Sequence, residues 1–215
     1  MTDQIKDLKV NPEELKFVKA DKGDAGELKS LLLHIYEDEP TFQYLFNAEK
    51  SGYTQRVRAT IREAVSSYFN DGHEVMALYY QGSLVGCAFI GTSDEELDIT
   101  HSPLWYAKMV LTAGFNATDR YIKYQQTLVT SMPQHPSLVI PLLGVHPKYR
   151  HSGLGHYLMS SVMEFCDKYH SLPGVGVEVA NPDYVSFCEG FGFEVMNRVN
   201  LGDTQTTVLY RALNH

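Results

Sequence analysis

The feature that most constrains this chain is the stretch from Ser137 to Tyr169, where an apolar run meets a glycine-bearing turn and then an amphipathic stripe. Ser137 to Val145 reads SLVIPLLGV, a length and composition suited to a strand buried on both faces. Pro141 lies inside it. Proline cannot donate to a strand ladder and sits at edges or bulges, so the run predicts a central strand disrupted at Pro141. An incidental proline whose missing donor faces away is the alternative. After His146-Pro147 comes RHSGLG, Arg150 to Gly155, where Gly153 and Gly155 let a ligand approach the backbone closely. A helix starting there offers unpaired N–H groups and the positive end of its dipole, a setting that can hold a pyrophosphate. Arg150 adds positive charge, and Ser152 can cap the helix or donate a hydrogen bond. The same glycines can also serve packing alone. Leu154, Leu158, Val162, Phe165 and Tyr169 step by 4, 4, 3 and 4 residues, which predicts a helix to about Tyr169 with one apolar face. No Lys-Ser or Lys-Thr follows the glycines as in a P-loop, and Leu158 stands where a dinucleotide fingerprint has its third glycine.

The remaining pattern surrounds this segment with strands and helices in one series. Residues 1–13 read as a polar leader, and 14–215 as a single domain. A strand is predicted from Leu15 to Ala20, then a helix from Asp24 to near Pro40 carrying Leu28, Leu31, Leu32 and Ile35. A second helix runs from Tyr53 to Phe69. Glu74 to Tyr80 and Leu84 to Ile90 flank Gln81-Gly82-Ser83 and read as a hairpin. An insertion at about 100–132 is richer in helix formers and is broken at Gly114 into two helices. Strand Val175 to Val179, a short helix from Pro182, and strands Phe193 to Val199 and Thr206 to Arg211 complete the series.

Composition narrows the partners. Lys and Arg total 18 against 26 Asp and Glu, and the net charge of −8 opposes general binding to nucleic acid or an anionic membrane, while suiting a cationic ligand. The three cysteines, Cys87, Cys166 and Cys188, lack the paired spacing of zinc or disulfide frameworks, which points to a reducing cytoplasm and no metal. The N-terminus, MTDQIKDLKV, lacks the apolar stretch of a signal peptide, and the longest apolar run, Leu138 to Val145, is too short to span a bilayer.

LLGVHPKYRHSGLGHYLM, Leu142 to Met159, resembles the coenzyme A motif of the GCN5-related N-acetyltransferases (GNAT), Q/R-x-x-G-x-G/A after a strand and opening a helix. VEVANPDYVSFCEGFGFEV, Val177 to Val195, resembles that family's next strand, helix and strand, with its Gly-Phe pair at Gly192 and Phe193. The resemblance spans nearly the whole chain. It implies an α/β (α+β) fold, with a mixed, mostly antiparallel sheet of about seven strands flanked by helices. The strand Ser137 to Val145 would splay from Val175 to Val179 and open a wedge for pantetheine. It implies acetyl-coenzyme A as cosubstrate, with pyrophosphate contacts from Arg150, His151, Ser152, Gly153, Leu154, Gly155 and His156. Backbone N–H groups near Leu143, Gly144 and Val145 would polarise the thioester carbonyl. Asn181 and Phe187 would complete the cofactor site, Asn181 as the family's helix-start asparagine unless an ungapped alignment puts Tyr184 there.

For transfer to an amine, a base must lower the barrier set by an ammonium pKa of about 10.4. Glu178, on the strand lining the wedge, is the leading candidate, although an outward, solvated side chain is equally compatible with alternation. Asp98, His101, His135 and His146 are reserves. The family's tyrosine that protonates the departing thiolate is replaced by Cys188, which can act as the acid or simply pack; Tyr184, one turn earlier, is the alternative donor. Trp105, Tyr106, Tyr121 and Tyr124, with the segment from Tyr36 to Phe46, are expected to form an aromatic acceptor pocket beside the wedge. Glu37, Asp38 and Glu39, or Asp94, Glu95, Glu96 and Asp98, either attract a cation there or are solvated loops. The expected function is acetyl transfer to a small, cationic amine. A protein or peptide acceptor and an inactive coenzyme A-binding module are the alternatives, and edge strands near the C-terminus leave room for a homodimer.

Overall fold

The computed structural model describes residues 10–95, 102–133, 136–169 and 171–213. Its sheet has seven strands: β1 (Leu15–Lys19), β2 (Glu74–Tyr80), β3 (Ser83–Thr92), β4 (Leu138–Val145), β5 (Gly174–Val179), β6 (Glu194–Leu201) and β7 (Thr204–Ala212). They lie in the order β1-β2-β3-β4-β5-β7-β6. Every neighbouring pair is antiparallel except β4 and β5. This is the mixed, mostly antiparallel sheet expected from the sequence, and β6 forms the edge near the C-terminus.

Helices cover both faces, and strand alternation assigns the side chains. One face carries α1 (Ala25–Tyr36), α2 (Pro40–Phe46), α3 (Tyr53–Asp71), α4 (Pro103–Ala113) and α5 (Phe115–Thr130). Its core joins Leu28, Leu32, Phe46, Ile61 and Met109 to Val75, Ala77, Cys87 and Phe89 of the sheet. The other face carries α6 (Leu154–Cys166) and α7 (Pro182–Glu189). Here Leu154, Leu158 and Val162 pack on Met76 and Leu78, which alternate with Val75 and Ala77 along β2, on Val85 of β3, where the β2–β3 register shifts, and on Val175 and Val177 of β5. Each such side chain contributes about 1.5–3 kcal/mol by leaving water, so the two faces are anchored independently.

Several boundaries differ from the sequence reading for physical reasons. The first predicted helix ends at Tyr36, and a separate helix begins at Pro40, whose fixed φ suits a first turn and whose entry is capped by the Glu39 side chain on the Phe42 N–H. Helix α6 stops at Cys166 rather than Tyr169, which follows in a turn although Phe165 and Tyr169 still pack on the core. Val10 also packs on this second core, and Asn11 caps a 3-10 turn at Pro12–Glu14.

Strand β4 is broken at the proline, as expected. Its pairing with β5 covers Leu138, Val139 and Ile140 and stops there. Across from it, Phe89 pairs with Leu142 and Gly91 with Val139, so Ile140 and Pro141 together oppose Ile90 in a bulge. The bulge inverts alternation: Leu138 and Ile140 face the α6 core, whereas Leu142 faces the α1–α5 core. Beyond it, β4 and β5 part and leave a gap.

Candidate active site

At the end of β4, a 3-10 turn at Pro147–Tyr149 leads into Arg150 in extended backbone. His151 then takes φ 63° and Gly153 φ 85°, left-handed values that turn the chain into α6. Gly153 is the N-cap and supplies no side-chain acceptor, so the first amides of α6 are uncapped by the protein. Ser152 does not cap the helix: its hydroxyl donates back to the Tyr149 carbonyl at 2.6 Å. The first turn of α6 contains no acidic residue, and Arg150, His151, Gly153 and His156 are exposed beside it while Gly155 is half-buried. A basic, uncapped helix start of this kind suits a pyrophosphate. The His156 ring packs on Phe191 at 4.8 Å and Phe191 on Phe187 at 5.2 Å, which forms an aromatic row between α6 and the end of α7.

In the gap, the backbone of β4 turns toward the missing neighbour. The His146 N–H bonds to the Val85 carbonyl of β3, so by alternation Leu143 and Val145 direct their N–H groups the other way. Pro141 shares that direction and has no donor to orphan. The Leu143 N–H donates to the Tyr36 hydroxyl at 2.9 Å, and the same hydroxyl donates to the Leu143 carbonyl at 3.3 Å. Gly144 is required by the approach of α1: a Cβ there would fall 2.7 Å from Ile35 Cγ2.

A cavity of about 80 Å³ opens between α1–α5 and the gap, reaching Pro141, Leu142 and Glu178. Its walls are largely aromatic and aliphatic: Tyr36, Phe42, Leu45, Ile61, Trp105, Met109, Tyr121 and Tyr124. A smaller cavity of about 30 Å³ continues along the gap past Met132, Ile140 and Val177 to the same glutamate. Phe42 links Tyr36, at 4.7 Å between ring centroids, to Phe46 at 5.3 Å. Trp105, Tyr121 and Tyr124 therefore lie together as the sequence suggested, while Tyr106 does not line the cavity.

Two carboxylates meet this apolar space. Glu178 points inward, not to solvent: its Oε1 accepts from Thr41 of α2 at 3.1 Å and from Thr206 of β7. Burial, reinforced by the negative charge of Glu39, pushes its carboxyl up to about 8, against the donated hydrogen bonds. The Tyr124 hydroxyl is buried, makes no hydrogen bond of standard geometry, and lies close enough to Glu178 to influence its titration. Glu39 also lines the cavity, and burial raises its carboxyl although the Phe42 N–H donates to it at 2.9 Å. Its two acidic neighbours are elsewhere: Glu37 is held by the Thr54 hydroxyl at 2.9 Å, and Asp38 is exposed. Asp94 and Glu95 are exposed and outside the cavity, and Glu96 and Asp98 lie outside the described residues.

The candidates beyond β5 separate. Cys188 is 2% exposed within the α6–α7 core, and burial raises its thiol to about 12. Tyr184, in the first turn of α7, is 43% exposed. Asn181 caps that helix by accepting from the Asp183 N–H at 2.9 Å. Among the reserves, His146 caps the 3-10 turn through the Lys148 N–H at 3.1 Å and stacks near His34, and His101 and His135 lie outside the described residues. Tyr36 and Thr41 lie in the segment expected to border the pocket, but their individual contacts escaped sequence reasoning, and Thr206 escaped it altogether. None has a motif, and only Glu39-Pro40 carried a local sign, that of a helix start.

A model of the acetyltransferase (GNAT) family matches residues 32–193. Among solved structures, mosquito arylalkylamine N-acetyltransferase-like 5b superposes with a TM-score of 0.68 at 13% identity, over 93% of this chain and all of that one. An agmatine N-acetyltransferase gives 0.69 at 17%, again over 93% and 100% of the two chains. The Drosophila melanogaster polyamine N-acetyltransferase, which forms N-acetylagmatine, gives 0.60 at 18% over the same shares. A probable serine/threonine-protein kinase of Dictyostelium discoideum is 23% identical over 86% of this chain, which spans about 21% of that longer protein. Motif, bulged strand and family match agree: this chain belongs to the GNAT acetyltransferase family and is an acyltransferase.

Proposed function

We propose that the protein transfers an acetyl group from acetyl-coenzyme A to a small primary amine that carries one positive charge on an apolar body. The observation that carries this reading is the cavity, in which Glu39 and Glu178 stand at the gap and the remaining wall is aromatic and aliphatic. A volume of about 80 Å³ accepts on the order of six water-sized groups, which suits a compact amine tail. Polyamines carry further charges for which this wall offers no partner.

The uncapped start of α6 with Arg150, and the gap beyond Pro141, fit an acyl-coenzyme A whose pyrophosphate lies on the turn and whose pantetheine follows β4. The Leu143 N–H then faces the acyl oxygen. Glu178 serves as base. An ordinary glutamate of pKa about 4.3 would accept a proton from an ammonium of about 10.4 across six units, a poor match. With its carboxyl near 8, Glu178 faces a gap of about two units once ionised. Glu39 attracts the ammonium and holds that carboxyl high. Glu178 first takes the ammonium proton and releases it to solvent; the neutral amine nitrogen then bonds to the acyl carbon, the C–S bond breaks, the second nitrogen proton passes to Glu178, and the thiolate takes a proton from a side-chain donor that solvent recharges. The buried Cys188 thiol, near 12, is a poor donor to another thiolate, which leaves the exposed Tyr184 for that step.

Thiol release from acetyl-coenzyme A across aralkyl monoamines, polyamines and peptides tests the reading. Turnover favouring monoamines is expected. Turnover with peptides alone moves the acceptor to proteins, and tight coenzyme A binding without any turnover leaves only a binding module.

A further inference from the structure

The gap between β4 and β5 contains one side chain that the proposed reaction has not used. Tyr36, the last residue of α1, places its hydroxyl 2.9 Å from the Leu143 nitrogen and 3.3 Å from the Leu143 oxygen. Leu143 pairs with Ala88 of β3 on one side, but on its other side no strand reaches it, since β5 pairs with β4 only as far as Ile140. The hydroxyl thus takes the hydrogen bond that a neighbouring strand would otherwise supply. It also stands where any acceptor oxygen bound to the Leu143 N–H has to lie, because an N–H···O contact of about 2.9 Å defines the same small region.

We infer that Tyr36 is a catalytic residue of this chain, donating a hydrogen bond from its side chain to the acyl oxygen beside the Leu143 N–H. The inference rests on the acetyl-transfer reading above. Two oxygens cannot share one seat, so a thioester carbonyl entering it displaces the hydroxyl from the Leu143 nitrogen. A hydroxyl is both donor and acceptor. Having lost the N–H it accepted, it turns its proton from the Leu143 carbonyl to the new oxygen, about one hydrogen-bond length away. The ring has a place to move: it borders the acceptor cavity and is backed by Phe42 at 4.7 Å. As charge develops on the acyl oxygen, the oxygen then meets two donors instead of one, a pair preorganised in a water-poor gap. Tyr36 keeps its own proton throughout. Burial, with the acidic neighbours Glu39 and Glu178, holds the phenol well above its usual range and so in the donor form.

The test is Tyr36→Phe, which removes one oxygen and retains the ring on Phe42. Turnover at saturating acetyl-coenzyme A and amine should fall about tenfold to a hundredfold, below the loss typical of a sole oxyanion donor because the Leu143 N–H remains. Coenzyme A itself, which has no acyl oxygen, should bind the variant within twofold of wild type by calorimetry. A kcat within twofold of wild type overturns the inference. So does a coenzyme A affinity that drops in step with kcat, the mark of a packing role. A wild-type protein that acetylates no amine overturns the reading beneath it, whereas an active wild type with an unaffected Phe variant overturns Tyr36 alone.

Discussion

The two faces of the sheet carry different halves of the site and are built in different ways. On the α6 face, the proposed cofactor half comes from one continuous stretch, β4 through the turn at Arg150–Gly155 into α6. On the opposite face, the proposed acceptor half is assembled from α1 to α5, β4, β5 and β7, so that Thr41 and Thr206 reach the same oxygen of Glu178 from opposite ends of the chain. Backbone geometry dominates the first half, and buried side-chain chemistry the second. A change on one face should therefore alter affinity for acyl-coenzyme A, and a change on the other should alter chemistry.

The sharpest break of this division is Glu178→Gln. Loss of a general base commonly lowers rate by about 10²–10⁴, so kcat should fall by at least a hundredfold while acetyl-coenzyme A affinity, read by calorimetry, stays within twofold. If Glu39→Gln shows that loss and Glu178→Gln does not, the two carboxylates exchange roles. The complementary change is Gly153→Val. No atom lies within 4 Å of the added Cβ, so the variant tests backbone alone: at φ +85° a branched side chain costs about 1–3 kcal/mol. Acetyl-coenzyme A affinity should weaken by roughly ten- to a hundredfold with kcat at saturation little changed. A large fall in saturated kcat instead would show that the two faces are not separable.

The same contrast explains what could be read from the sequence. The seven strands, the disruption at Pro141 and the α6 stripe were legible because each is a local pattern of two or 3.6 residues. The inward turn of Glu178 was only half legible. Alternation allowed either face, and the decision belongs to Gly176 and Glu178 facing α5 while Val175 and Val177 face α6. Tyr36 lay in the segment expected beside the wedge, but its bond to Leu143 was out of reach: the two residues are 107 apart, and no spacing encodes that contact. Of the two roles open to Ser152, capping and donating a hydroxyl hydrogen bond, the structure shows the second, since Gly153 took the cap position and freed the hydroxyl for Tyr149.

Cys188 and Tyr184 sharpen the boundary between the faces with smaller effects. If Cys188 is packing, Cys188→Ala should lower Tm by roughly 2–4 °C, from a cavity cost of about 1 kcal/mol, and leave kcat intact. Tyr184→Phe should lower kcat severalfold without a change in Tm. The reverse pattern returns the proton-donor role to the cysteine.

The last contrast is a pH dependence that only the acceptor face should show. Glu178 is raised from an ordinary 4.5 to about 8 in the folded protein. Between those values the native state holds a proton that the unfolded chain has lost, so this group's contribution to stability is full below about 4.5 and is lost as pH rises toward 8. Glu178→Gln removes that loss. The Tm of the variant relative to wild type should therefore climb by several degrees from pH 5 to pH 8, a trend read by thermal unfolding at four pH values. Glu39→Gln should act in the same direction but through the neighbour: without its negative charge, the Glu178 carboxyl falls, and the acidic limb of kcat/KM moves to lower pH. A Tm difference that stays flat with pH, together with an unmoved acidic limb, would mean that the two carboxylates do not share the buried site that joins the cavity to the gap.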